Sequence, residues 1–299
     1  MLLYLIFFVI ILYIIFKHKC IEYLTNQNKY ICLYAYYEKN LDYKKNLLYF
    51  LNNGILDYVD YIIIINGTHT VDIPEKKNIK IIYRENKGYD FGAWSHALSQ
   101  LKQNYDYYIF INSSVIGPFT PLQSKPFTPL QSKPFTHLQS KPFIPLQNNQ
   151  YHNQIKQDWL QMFLELFNNN DIKLVGTTIN MLYRDDTMLS HVQSMFFILN
   201  QSGLIFLQSN NFFNEEEINN YNNINQVIDY KEIQMSQLIL NNNWNINCIV
   251  PHYRNQDYRI LKKNINEPSH ITDVVYKNSF FGRTLTPEEV IFYKKYRFE

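Results

Sequence analysis

An α/β fold on a mostly parallel sheet is what this sequence predicts, and three observations predict it. Short apolar runs rich in β-branched and aromatic residues alternate with stretches of helical periodicity, as strand–helix–strand units with right-handed crossovers require. The first run, YICLYAY, is apolar without alternation, which suits a strand covered on both faces. The chain has 299 residues, 46% of them hydrophobic, with 25 Tyr and 21 Phe, enough for one large core or two small ones and weighted towards strands.

The N-terminus differs in kind. Residues 1–16 read MLLYLIFFVIILYIIF, without charge, before Lys17, His18 and Lys19. A membrane span takes about 20 residues, and residues 1–19 are read as a slightly short single-pass anchor. A cleaved signal peptide is the rival, but no basic segment precedes the run and no small-residue cleavage site follows it. A buried core helix is the bland alternative. Lys17 and Lys19 favour a cytoplasmic domain by the positive-inside rule.

From residue 28 the domain begins. Strands are expected at 30–36, 58–66, 79–83 and 107–112, with helices at 41–51 and 91–101. Asn52-Asn53-Gly54 ends the first helix, with Gly54 in the position just past a helix end. At 118–149 the octapeptide PFTPLQSK recurs, twice intact, once as PFTHLQSK and last as PFIPLQNN. Prolines this dense exclude helix and central strand, so the repeat is read as an extended surface loop, either a lid or docking arm or a neutral expansion. A helix follows at 158–167 with Asp158 as its N-cap. Then come strands at 173–179 and 192–199, a short helix at 201–208, an Asn-rich acidic loop at 210–229, a helix at 230–240 and a strand at 244–250. The tail, 251–299, is mixed and rich in aromatic and basic residues.

A net charge of +2 without a Lys/Arg block argues against nucleic acid as a partner. Cys20, Cys32 and Cys248 are odd in number and in no metal spacing, leaving at most one disulfide in an oxidising compartment. N-x-S/T sequons stand at Asn66, Asn112 and Asn200, the first two at strand ends where glycan attachment is not expected.

The run RENKGYDFGAW, from Arg84 to Trp94, sits where a strand ends and a helix opens. Ligands of open α/β sheets bind beyond such strand ends. Gly88 and Gly92 would let backbone approach a ligand, and Asp90 is either a binding group or a helix cap.

That run, followed by YDYYIFINSSVIGPF from Tyr105, resembles the rhamnan-synthesis-F-like and related family 2 glycosyltransferases. LVGTTIN, HVQSMFFIL, YKEIQMSQLILNNNWNI and FFGRTLTPEEVIFYK extend the resemblance over most of the chain from Tyr30. It implies a GT-A, Rossmann-like nucleotide-diphospho-sugar transferase domain over 28–299. The first half would bind a nucleotide sugar and the second a glycan or lipid-linked acceptor. Secretory-pathway enzymes of this kind face the lumen, against the charge rule above. On this resemblance Asn86, Gly88, Asp90 and Gly92 form the donor element, with Asp90 on base or ribose or orienting the loop.

Asn112, Ser113 and Ser114 stand where many GT-A enzymes carry D-x-D. Those carboxylates hold Mg²⁺ or Mn²⁺ against the diphosphate and stabilise the leaving group. Asn112 and Ser114 offer only neutral oxygens. Three readings stay open: phosphates held without metal by Lys, Arg and backbone N–H groups; a metal held elsewhere, His252 being the candidate; or lost catalysis, leaving a glycan-binding or scaffold module. Arg254 and Arg283 are candidate diphosphate clamps. Transfer with inversion needs one general base. Glu232 is that candidate, with the pair Asp185 and Asp186, in the loop after Asn180, second. His191 and Ser194 are placed on the acceptor side, Ser194 within a strand and facing away from Met195. Solvated, packing or salt-bridged roles are the bland alternative for each.

Overall fold

The computed structural model describes residues 28–120, 158–261 and 273–294. The expected anchor, Cys20 and all of the repeat beyond Thr120 lie outside the described residues. Among the described residues no helix is long and apolar enough to cross a membrane.

Seven strands form the central sheet in the order β3-β2-β1-β4-β8-β5-β9. They are β1 (Tyr30–Tyr36), β2 (Val59–Asn66), β3 (Ile79–Arg84), β4 (Tyr107–Asn112), β5 (Ile172–Gly176), β8 (Phe196–Asn200) and β9 (Asn245–Cys248). β1 pairs in parallel with both β2 and β4, and β2 with β3, so the first half is the expected parallel unit. β8 runs antiparallel between β4 and β5, and β9 returns parallel to β5. Residues 62–65 of β2 and 109–111 of β4 are apolar and buried on both faces, which only helices on both sides of the sheet allow.

Helix α1 (Leu41–Asn53) joins β1 to β2, and α2 (Tyr89–Ser99) joins β3 to β4. The chain leaves β1 towards β2 and comes back across to β4, so the strand order reverses beside β1. In open α/β sheets ligands bind beyond the carboxyl ends at such a reversal, which makes this edge the candidate site. Buried Trp94 pins α2 by donating from Nε1 to Leu33 O of β1 at 3.1 Å. Asn40 caps α1, its side chain accepting from Asp42 N and Tyr43 N. Gly54 is not the left-handed residue expected after α1: its φ is −101°. Glycine is required there by proximity, because an added Cβ would lie 2.4 Å from the Phe50 ring.

Asp158 caps α3 (Trp159–Leu164), accepting from Leu160 N and Gln161 N, and a 3₁₀ turn continues to Phe167. The expected strand over 173–179 is two strands. β5 stops at Gly176, where an added Cβ would meet Val192 at 2.3 Å. The chain then leaves the sheet through Thr177 and Thr178. β6 (Ile179–Arg184) and β7 (Thr187–Val192) form a separate antiparallel hairpin. The expected strand over 192–199 is likewise divided. Gln193 and Ser194 bond to groups outside the ladder, and β8 begins only at Phe196.

α4 (Gln201–Ser209) follows as expected. The segment expected as an acidic loop at 210–229 instead holds two short helices, α5 (Glu215–Asn219) and α6 (Ile224–Val227), each capped by an Asn. Next comes a π-helical turn (Ile228–Ile233) that runs into α7 (Gln234–Asn241). The tail is part of the core. Its helix α8 (Pro287–Val290) opens on a Thr286/Glu289 capping box, and Phe292 stacks on Phe196 with centroids 4.4 Å apart. Cys32 and Cys248 are buried free thiols on β1 and β9, and burial pushes both well above the usual thiol range, Cys248 to about 12.

Candidate active site at the carboxyl edge of the sheet

Three segments meet in the crevice beyond β1 and β4. The first is the entry to α2. Gly88 and Tyr89 are successive left-handed residues, φ 65° and 53°. Tyrosine tolerates that region poorly, so the turn stores local strain at the crevice mouth. Gly88, without a side-chain bond, is the N-cap. Asp90 is therefore not the cap and lies in the first turn of α2. The turn is held from behind by buried Arg84, whose Nη1 donates to Asn66 Oδ1 at 2.9 Å and Lys87 O at 2.8 Å, and whose Nη2 donates to Asn219 Oδ1 at 3.0 Å.

The glycines of this element serve α5. A Cβ on Gly88 would lie 2.7 Å from Asn219 Oδ1, and one on Gly92 2.5 Å from Lys87 O. Their smallness admits Asn219 and the loop backbone. Asn86 is exposed on that loop.

The second segment leaves β4. Asn112 is buried, and its amide is engaged at both ends: Nδ2 donates to Asp90 Oδ2 at 2.9 Å, while Oδ1 accepts from Ser114 N at 3.0 Å and Ser114 Oγ at 2.5 Å. Ser113 exchanges bonds with the backbone of Tyr37, and Asn46 of α1 donates to Ser113 O at 3.0 Å. Asn112 N donates to Met195 O at 3.2 Å, which ties this segment to the third.

The third is the connection from β7 to β8 with the π-helical turn above it. Glu232 Oε2 accepts from Ser194 N at 2.8 Å and from Ser194 Oγ. Its Oε1 lies 3.8 Å from His191 Nε2. Buried His191 faces a carbonyl through Nδ1, 2.7 Å from Leu189 O, so Nδ1 carries a proton and Nε2 is turned to the carboxylate. The structure thus makes His191 and Ser194 the setting of Glu232.

The two carboxylates have opposite electrostatics. Burial pushes Asp90 up to about 6; Lys294 and the Asn112 bond oppose this, and the charge of Glu232 adds to it. Burial also pushes Glu232 up, but His191, the Ser194 bonds and Lys294 outweigh it and hold Glu232 below the usual glutamate value. A pair pushed apart in this way divides into one group always ionised at neutral pH and one that titrates near it.

Lys294 was not singled out in the sequence. The tail brings it in: Ile116 N donates to Tyr293 O at 2.9 Å and Tyr293 N to Ile116 O at 3.0 Å. This antiparallel bridge sets Lys294 across from Val115, one residue past Ser114.

The remaining candidates lie elsewhere. Arg254 turns back on β9, donating to Ile249 O at 2.7 Å. Arg283 makes a bidentate pair with Glu289 at 2.7 and 2.8 Å and stacks on Phe280, so its fork is spent on the fold. Asp185 and Asp186 are the two left-handed residues of the β6–β7 turn, exposed at the hairpin tip. His252 is exposed and packs edge-on against Phe281. Asn66 and Asn112 are too buried to accept a glycan.

The residues in the D-x-D position do not fit a divalent cation. The Asn112 oxygen already accepts two bonds, and its nitrogen faces the one adjacent carboxylate. Among the described residues no three His, Cys, Asp or Glu side chains converge, and His252 belongs to no such group.

A comparison with known protein families finds no match to this chain, and one with characterised proteins finds none either. Among solved structures, 4-diphosphocytidyl-2C-methyl-D-erythritol synthase of Anaerococcus prevotii DSM 20548 is similar at 9% identity and a TM-score of 0.36, over 80% of this chain and 92% of that one. The apo bifunctional glycosyltransferase WbbM is similar at 12% identity and a TM-score of 0.34, over 72% of this chain and 37% of that one. Superpositions this loose carry no functional weight; the fold stands on its own sheet order, and the site on its own geometry.

Proposed function

We propose that this chain is a nucleotide-sugar-dependent glycosyltransferase of the GT-A kind, inverting, tethered to a membrane by residues 1–19 and acting on a glycan or lipid-linked acceptor. The observation that carries this is the pair Asp90 and Glu232, electrostatically split, at the reversal of strand order. The donor lies over the entry to α2 and the end of β4, where helix N–H groups and the Asp90–Asn112–Ser114 network meet it. Glu232 is the general base. Ser194 occupies Oε2, which leaves Oε1 to accept the proton of the attacking hydroxyl, with His191 fixing the carboxylate.

The test is donor-dependent transfer by the full chain with UDP-, GDP- and TDP-sugars, beside the melting-point shift each donor causes. Glu232→Gln is expected to lower transfer about 100-fold or more while keeping the donor's shift. Full transfer by this variant would remove Glu232 from the chemistry. A second reading, a binding module without turnover, is favoured by the Asn112 amide in place of an acid. Any donor-dependent turnover, however slow, eliminates it.

A further inference from the structure

We infer that Lys294 is the cation that meets the donor diphosphate here, taking the place of a divalent metal, so that this chain binds and activates its donor metal-free. The inference rests on the donor site proposed above and assigns the group that handles its phosphates.

Charge comes first. Two D-x-D aspartates and a divalent ion sum to zero. The amide of Asn112, the hydroxyl of Ser114 and one ammonium sum to a single positive charge. Over the exchanged groups alone, Lys294 thus supplies no less net positive charge than a metal site, while the Asp90 and Glu232 carboxylates share its field. Asn112 suits the exchange: beside Asp90 a carboxylate would need a cation between the two, whereas the amide supplies an N–H directly at 2.9 Å.

Geometry comes second. The Ile116–Tyr293 bridge is a backbone lock with both of its bonds near 3 Å, and it fixes the register of the tail beside the Asn112–Ser114 turn. The lock is backed by Phe292, buried against Phe196 and Trp159. Among the described residues Lys294 makes no hydrogen bond or ion pair, so its three donors are open to a ligand. The candidate cations named above are already engaged: Arg84 by Asn66, Lys87 O and Asn219, Lys87 by Glu85, Arg254 by Ile249 O and Arg283 by Glu289.

In the transfer step the acceptor oxygen forms its bond to the anomeric carbon, and the bond from that carbon to the diphosphate oxygen breaks. The electron pair of the broken bond goes to the diphosphate, where the Lys294 ammonium offsets the new charge. The hydroxyl proton goes to Glu232.

The experiment titrates the full chain with UDP, GDP, TDP and CDP, and with each matching nucleoside, in EDTA and in Mn²⁺. The expected result is a nucleoside diphosphate bound equally well in both. Lys294→Ala is expected to weaken it about tenfold, equivalent to about 1.4 kcal/mol, by removing a charge-assisted hydrogen bond, and to leave the nucleoside unchanged. Lys294→Arg is expected to recover most of the loss, which separates charge from folding, and circular dichroism of both variants checks that they fold. Binding that requires Mn²⁺, or a diphosphate affinity indifferent to Lys294→Ala, overturns this assignment and leaves the donor site standing. Binding of no nucleotide and no nucleoside overturns the donor site and this assignment together.

Discussion

Asp90 shows how far a single residue can be read from sequence. The RENKGYDFGAW run marks it as a group near a strand end. What sets its chemistry is burial, together with the charge of Lys294, the hydrogen bond from Asn112 and the charge of Glu232, all far along the chain. The rise from an ordinary 3.8 to about 6 means that the folded protein holds this proton more tightly than the unfolded chain. The linked stability is fully present below pH 3.8 and lost as pH rises through about 6. It amounts to at most about 3 kcal/mol. Asp90→Asn keeps an oxygen for the Asn112 amide and never ionises. Its stability gain over the parent is expected to be small near pH 4 and largest above about pH 6, read from urea unfolding at the two pH values. Equal gains at both would show that Asp90 titrates as an ordinary carboxylate. Glu232 is legible from its motif in the same limited way, and His191 and Ser194 are legible as acceptor-side candidates but not as its partners. Their bonds to Glu232 form only once the β7–β8 connection folds under the π-helical turn. Lys294 was not legible, because nothing local distinguishes it from other tail lysines before the backbone bridge to Ile116 is known.

At the scale of elements, the first half of the chain was readable because its strands are continuous apolar runs closed by polar or glycine residues, and local sequence decides them. The second half was misread where tertiary contacts cut a run. Gly176 against Val192 ends β5 early, and Asp185-Asp186 makes a tight hairpin turn without the Asn-Gly or Asp-Gly that usually announces one. The segment at 210–229 looked like a loop by composition, yet its asparagines are caps and its anchor is a single lysine. Lys231 is buried, its Nζ 2.7 Å from Phe212 O and 3.2 Å from Glu217 Oε1, with the Phe212 ring 4.9 Å away. Burial pulls its pKa down, and Glu217 opposes that. Lys231→Ala leaves the Phe212 carbonyl without its donor, while Glu217 keeps the Tyr221 hydroxyl, and an expected loss of about 1–3 kcal/mol follows. Because Glu232 is the next residue, the same variant is expected to lower transfer more than donor binding. Urea unfolding beside donor titration measures both. A loss below about 0.5 kcal/mol, the size of an ordinary surface substitution, would mean that the segment is held without Lys231.

Across the whole molecule, the tail meets the middle of the chain at one place. The tail packs Phe292 between Phe196 of β8 and Trp159 of α3, then pairs Tyr293 with Ile116 just beyond β4. The structure that completes the aromatic core is therefore also the one that delivers Lys294 to the crevice, so stability and ligand binding are coupled through two adjacent residues. Phe292→Ala removes a ring that is 1% exposed, and core truncations of this size cost about 3–5 kcal/mol. If the tail is held chiefly by that ring, the backbone bridge loosens and nucleoside diphosphate affinity falls with stability, while nucleoside affinity stays. Phe292→Leu retains most of the buried volume, so a smaller change in both quantities is expected. Unfolding and titration of the two variants, well below their melting points, decide the matter. Stability lost with diphosphate affinity intact would show that the Ile116–Tyr293 bridge holds Lys294 without help from the core.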